Sequence, residues 1–381
     1  MNRAYMITLA ALLAAAASLA GEPPAKADVA TNAALKYWQA FAQLPPRDEA
    51  QQRRLADWRT TPLDDAARKL AGESEKSFLY LRRGAALPQC DWSLDYEDGV
   101  GLLLPHLDKA RTLALFACLR ARIALADGQA ENAVDNLLAA LALGRRVADP
   151  IMIALLVDYA VEQNAIDALA LVLPQLDGPA LRRLAERLDA LPPAATLDQT
   201  IVTERDYFGG WTIRWLKEQE RTAGGNLRAN VQALIVGSQD AEEVMKLVDD
   251  RSARRLIETL EALGPFYEEQ RRLVGLPRKQ FLAEWPTFQK KHSANPVGRL
   301  MLPALVKVVD ARDRAAGRLA LLKAAVAVKR DGEPALAKHA DPFGTGPFQY
   351  TARPHGFELR SALQIDGKPV TLVVGPPDAA P

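Results

Sequence analysis

The chain is poor in the residues that most often announce chemistry. Its 381 residues include two cysteines and four histidines. Cys90 and Cys118 are too far apart for a C-x-x-C pair, which excludes the redox-active dithiol spacing and a zinc site of paired cysteines. His106, His292, His339 and His355 never fall at i and i+4, so no His-Glu-x-x-His motif exists. Charge of one sign is not in excess either. The 48 Lys+Arg and 47 Asp+Glu leave a formal charge of +1, without the basic surplus of a nucleic-acid binder. No Gly-x-x-x-x-Gly-Lys-Ser/Thr loop is present to cradle a phosphate. Gly344-x-Gly346 lacks the third glycine and the following helix of a dinucleotide site, and there is no Gly-x-Ser-x-Gly elbow. Beyond residue 20 the apolar runs are short: Ile151 to Val157 stops at Asp158, and Leu319 to Leu322 stops at Lys323. Neither approaches the roughly 20 residues of a membrane span. No cofactor, no metal site and no catalytic residue is assigned.

The first segment reads as an address. Arg3 precedes an apolar stretch from Met6 to Ala17, and Ser18-Leu19-Ala20 places small residues where a signal peptidase reads. This is the pattern of a bacterial secretory signal peptide over residues 1–20, with cleavage between Ala20 and Gly21. Ala25-Lys26-Ala27 is a second small-x-small site. The expected location is therefore periplasmic or secreted, with no membrane span after cleavage. No cysteine follows the apolar stretch closely, so a lipid anchor has no attachment point. Export to an oxidising compartment permits a disulfide between Cys90 and Cys118, the alternative being two buried thiols.

Helical periodicity dominates from Ala33 to Lys338. Ala33, Leu35, Trp38 and Phe41 open it, and Pro45-Pro46 closes the first helix. A second helical stretch is expected from Asp64 to Arg83. Between Leu87 and Leu104 the period fails, and this segment reads as an ordered loop. Pro105 then suits the first turn of a helix. Asp127-Gly128, Asp149-Pro150, Asp177-Gly178-Pro179 and Leu191-Pro192-Pro193 punctuate the helices that follow. Thr196 to Thr222 continues the helical pattern, and a long helix is expected over Gly298 to Lys329. At Asp341 the grammar changes to turns and alternating residues. Gly356-Phe-Glu-Leu-Arg360 alternates as a half-buried strand does, and Asp366-Gly367 signals a hairpin. These readings predict a mainly α protein, an irregular antiparallel helical-hairpin array with a small C-terminal β appendage. The regions are an N-terminal helical domain over 28–193, with its loop at 87–104, a second helical region over 194–340, and the appendage over 341–375.

Ala124, Gly128, Ala133, Leu137 and Ala140 resemble the small-residue frame of a tetratricopeptide-type hairpin, in which small residues let two helices approach. No second copy follows at a 34-residue period. Cys90-Asp-Trp-Ser-Leu-Asp-Tyr-Glu-Asp-Gly99, running into Leu102-Leu-Leu-Pro-His-Leu107, resembles a group of uncharacterised exported bacterial helical proteins. Asp341-Pro-Phe, Pro347-Phe-Gln-Tyr350 and Asp366-Gly-Lys368 extend that resemblance. The same tail is similar to the C-terminal portion of type II secretion pseudopilins, although the N-terminus has no pseudopilin processing site. The first resemblance implies export without a known activity; the second implies a secretion-system accessory role.

Two segments concentrate polar and aromatic groups. The loop bearing Asp91, Asp95, Glu97 and Asp98 beside Trp92 and Tyr96 offers carboxylate oxygens, but Tyr96 stands where an EF-hand needs glycine. Its structural reading has Trp92, Leu94 and Tyr96 turned inward and the acids in water. Glu204-Arg205-Asp206-Tyr207 with Trp211 and Trp215 is the second segment, in which a half-buried Glu204 would suit general acid–base work. Basic pairs such as Arg182-Arg183, Arg271-Arg272 and Lys290-Lys291 have acidic neighbours and read as solvated helix faces. The expected function is a noncatalytic exported scaffold or protein-interaction module that holds an unknown protein partner of the cell envelope in a groove. The alternatives are a periplasmic hydrolase with an unrecognised carboxylate site near Glu204, and a secretion-system accessory protein.

Overall fold

The computed structural model describes residues 29–235 and 241–376. The signal segment and its cleavage site at Ala20 and Gly21 lie outside the described residues. The helices run α1 (Ala33–Ala42), α2 (Glu49–Ala56), α3 (Asp65–Glu73), α4 (Glu75–Ala85), α5 (Pro105–Ala126), α6 (Ala130–Val147), α7 (Met152–Val172) and α8 (Gly178–Asp189). They continue as α9 (Leu197–Thr203), α10 (Gly210–Thr222), α11 (Leu227–Leu234), α12 (Ala241–Met245), α13 (Arg254–Glu261), α14 (Gly264–Val274), α15 (Arg278–His292) and α16 (Pro296–Asp331). An antiparallel sheet closes the chain in the order β1 (Gln349–Arg353), β2 (Gly356–Ile365) and β3 (Lys368–Val374). The protein is mainly α with a small β appendage.

Short polar side chains start several of these helices by accepting their orphan amides. Asn32 caps α1, Asp64 caps α3, Asp177 caps α8 and Asn295 caps α16. Asp48 and Gln51 form a reciprocal capping box that nucleates α2, a helix between the double proline and Asp64 that apolar periodicity alone does not reveal. The expected single helix over 64–83 is two. It breaks at Ser74, whose hydroxyl donates to the carbonyl of Ala71 at 2.6 Å and competes with the helical ladder. Thr196 to Thr222 is also divided, by a π-helical turn over Glu204–Gly209.

The first core is built on α5, α6 and α7. Gly128, at φ 71, makes the tight turn between α5 and α6. Nearly every face of α6 is buried because α5 lies on one side and α7 on the other. Gly144 permits the close approach to α7: a Cβ there would stand 2.9 Å from Asp158 Oδ1 and from Val161. Cys118 is buried in this core and donates to the carbonyl of Asn164, while Cys90 sits half-buried beside the chain entry. The two are separate thiols.

A second core gathers Ile201, Phe266, Phe281, Phe288, Leu305 and Val309, and a third gathers Leu216, Val231, Val248 and Leu256. Helix α16 reaches all three, with Val297 packed against the third. Leu305 and Val309 fill the second core, whereas Leu321, Leu322 and Val326 fill the first. The sheet rests on the same end of α16 and on α7. Leu359, Leu372 and Val374 are buried there, and the amide of Gly375 donates to the carbonyl of Ala170 at 3.0 Å. The strands thus gain the apolar support that three strands alone lack. Asp167 on α7 ties the parts together, pairing with Arg59 and with Arg318 of α16, which also donates to the carbonyl of Thr371 at 2.9 Å. No helix among the described residues is long and apolar enough to cross a membrane.

Candidate functional site

The structure joins the two polar–aromatic segments that the sequence singles out. Tyr96 and Tyr207 stack with ring centroids 4.4 Å apart. Glu97 pairs with Arg214 at 3.3 Å, and the Trp211 ring lies directly over Gly99. Residues 111 positions or more apart along the chain are not related by any local pattern; the meeting depends on the packing of helices distant in sequence.

Each segment is fixed from beneath. Trp92 is buried, donates its indole N–H to the carbonyl of Arg146 at 2.7 Å, and stacks on His106 at 4.5 Å. Asp91 accepts from the amide of Ser93, and Asp95 from that of Glu97, so these carboxylates hold the turn. The loop has Trp92 inside and Asp95, Glu97 and Asp98 in water, the structural arrangement read from the sequence. No group of three or more metal-ligating side chains converges among the described residues. On the opposite segment, the π-helical turn inserts an extra residue into the ladder and turns Tyr207 outward while Phe208 faces a pocket. Such turns recur where a helix must re-aim its side chains.

That pocket holds about 400 Å³. Val100, Leu104, Ile151, Ile153 and Phe208 line it, and Glu204 is its single ionisable group. Val100 and Ile153 are apolar yet 53% and 51% exposed. Glu204 Oε1 accepts from the amide of Met152 at 2.8 Å, the first residue of α7. Burial raises its pKa and this hydrogen bond opposes the rise. The carboxylate is thus occupied in closing a helix end, where the helix dipole favours a negative group. Nearby, Asp149 is pushed up to about 7, by burial first and by Asp91 second. Its Oδ2 has no hydrogen-bond partner.

A second hollow, a cleft of about 610 Å³, was not legible in the sequence. It lies between the first and second cores, walled by α7 and α16. At its inner end Arg145 Nε donates to Glu162 Oε1 at 2.8 Å and Arg145 Nη1 donates to the carbonyl of Pro192 at 2.9 Å. Asp158, one turn before Glu162, is fully buried with neither oxygen partnered. Burial and the neighbouring Glu162 hold its pKa well above the usual carboxylate range. Burial also raises Glu162, against the opposing pull of its ion pair with Arg145. The only sequence signal for this pair is an i, i+4 spacing of acids inside an apolar helix.

A third hollow of about 680 Å³ lies between α3, α4, α5 and α6. Its arginines are largely neutralised: Arg68 pairs with Asp127, and Arg120 with Glu75. Comparison of the chain with protein-family models, with curated proteins and with solved structures returns no match.

Proposed function

We propose that the protein is a noncatalytic exported scaffold that binds a partner protein segment at the facet formed by residues 96–104, 151–156 and 204–211. The exposure of Val100 and Ile153 at the mouth of an apolar pocket carries this reading. Large apolar side chains left in water around a concavity mark protein-interaction sites. The surroundings specify the partner's chemistry. Asp95 and Asp98 are exposed at the facet's edge, Glu97 and Asp206 are exposed there but paired with Arg214 and Arg205, and Glu204 stands inside it. The complementary segment carries an apolar anchor flanked by basic residues. The signal-like N-terminus supports a place in the bacterial periplasm or outside the cell. The occupation of Glu204 by the amide of Met152 weighs against using it as a general base.

A second reading, the secretion-system accessory, draws on the sheet packed against the end of α16, because a long helix feeding a small sheet is the arrangement its tail resembles.

Selection of displayed peptides on the purified chain tests the binding reading. Enriched peptides should combine apolar anchors with Lys or Arg. Val100→Asp and Ile153→Asp should each weaken them at least tenfold, while Leu282→Asp, at an exposed leucine on α15, should not. Selection of acidic peptides, or equal affinity for all three variants, would overturn the assignment.

A further inference from the structure

The cleft between the two cores is independent of the docking facet and has the chemistry of a small-molecule site. Its walls are mostly apolar, including Leu197, Val274, Ala315 and Leu319. Its ionisable groups are few and cations outnumber carboxylates, with Arg145, Arg312 and Lys323 against Glu162 and Asp198. A hollow of this volume, apolar with a few convergent polar groups and lying between two cores, is the usual form of a ligand pocket.

The inner end shows which head group fits. The guanidinium of Arg145 has five N–H donors in a fixed fork. Glu162 and the carbonyl of Pro192 take one from Nε and one from Nη1. Both partners of the ion pair are largely withdrawn from solvent, with side chains 14% and 5% exposed. A buried ion pair is costly unless its remaining donors find acceptors. Nη2 receives no acceptor from the described residues, and Arg145 borders the cleft. An oxyanion placed there accepts from the free edge of the fork, the arrangement in which arginine binds carboxylates most strongly.

We propose that this cleft binds an amphipathic monocarboxylate, its carboxylate on Arg145 and its hydrocarbon body along the wall of α16. Lys323 and Arg312 face the same space and add to the attraction for an anion, although each already has a carboxylate partner, Asp189 and Asp313 respectively.

Calorimetric titration of the full chain with decanoate, against decanol and decylamine and all below micelle-forming concentrations, tests the assignment. Decanoate should bind saturably and at least tenfold more tightly than decanol or decylamine. Ala316→Trp, at an exposed position lining the cleft, should reduce decanoate affinity at least tenfold by filling the space without disturbing the ion pair. The paired variant Arg145→Gln with Glu162→Gln leaves no unmatched buried charge and should abolish the preference for decanoate over decanol. Absence of decanoate binding, equal binding of decanol, or binding indifferent to Ala316→Trp would each overturn the proposal. The Val100→Asp variant should bind decanoate as the unaltered chain does, which separates this site from the docking facet.

Discussion

The Tyr96 ring stacks on that of Tyr207 with centroids 4.4 Å apart and planes 29° from parallel, and this contact closes the docking facet. Three residues on, Gly99 lies at φ 54, and a Cβ added there would stand 2.1 Å from the Trp211 ring. Both the backbone and the contact require glycine. Gly99→Ala should therefore displace Trp211, red-shift the tryptophan emission and lower stability by about 2 kcal/mol. Unchanged emission and an unchanged denaturation midpoint would show that the loop and the π-helical turn are not packed together.

Asp149 and His106 predict opposite pH dependences. The folded pKa of Asp149 is about 7, above its unfolded value near 4, so its ionisation costs stability as pH rises through that window. His106 is lowered to about 4 by burial, with both ring nitrogens unpartnered, so stability is lost as pH falls from about 6.5 toward 4. In the unaltered chain the two slopes partly cancel. Relative to the unaltered chain, Asp149→Asn should gain stability progressively as pH rises from about 4 to 7, because Asp158 and Glu204 contribute equally to both proteins. It should also stabilise the protein above pH 7. Urea midpoints measured on both proteins across this range check the sign, and a difference between them that does not grow with pH refutes the assignment to Asp149.

Asp341 organises the entry to the sheet. Its carboxylate accepts from the Ser361 hydroxyl at 2.9 Å, the amide of Ala362 at 2.6 Å and the amide of Phe343 at 3.0 Å. The register shift in β2 between Arg360 and Gln364 lies at this anchor. Asp341→Ala leaves three donors short of an acceptor and should cost about 3 kcal/mol, whereas Asp341→Asn should cost less. Amide exchange should quicken first in β2 and β3, where a loss spread evenly over the helices would contradict this role.

Local grammar carried most of the fold into the sequence. Proline and glycine pairs marked helix ends because they act on their immediate neighbours, and Asp366-Gly367 marked the β2–β3 turn because both residues adopt positive φ there. The helix α2 escaped notice because a capping box, not an apolar stripe, starts it. The two halves of the facet were visible as separate clusters, but their union was not. Tyr96 reaches Tyr207 only through the packing of helices distant in sequence. The cleft was hidden for the same reason: Arg145 and Glu162 lie on adjacent helices, and Lys323 comes from a third that also supports the sheet.

The two cysteines provide the last test, because the sequence left a bridge and a pair of buried thiols open. Cys118 sits fully buried with its thiol directed at the carbonyl of Asn164, and burial drives its pKa upward. Cys90 is pushed up to about 12, by burial foremost, with Arg146 opposing. The thiolate is the reactive form, so both residues should resist a disulfide reagent in the native state. Denaturation without reductant should release two titratable thiols per chain, and the rate of release should follow global unfolding for Cys118. Recovery of no thiol until reductant is added would establish a Cys90–Cys118 bridge and require the loop before α5 to shift toward the buried face of α5 that carries Cys118.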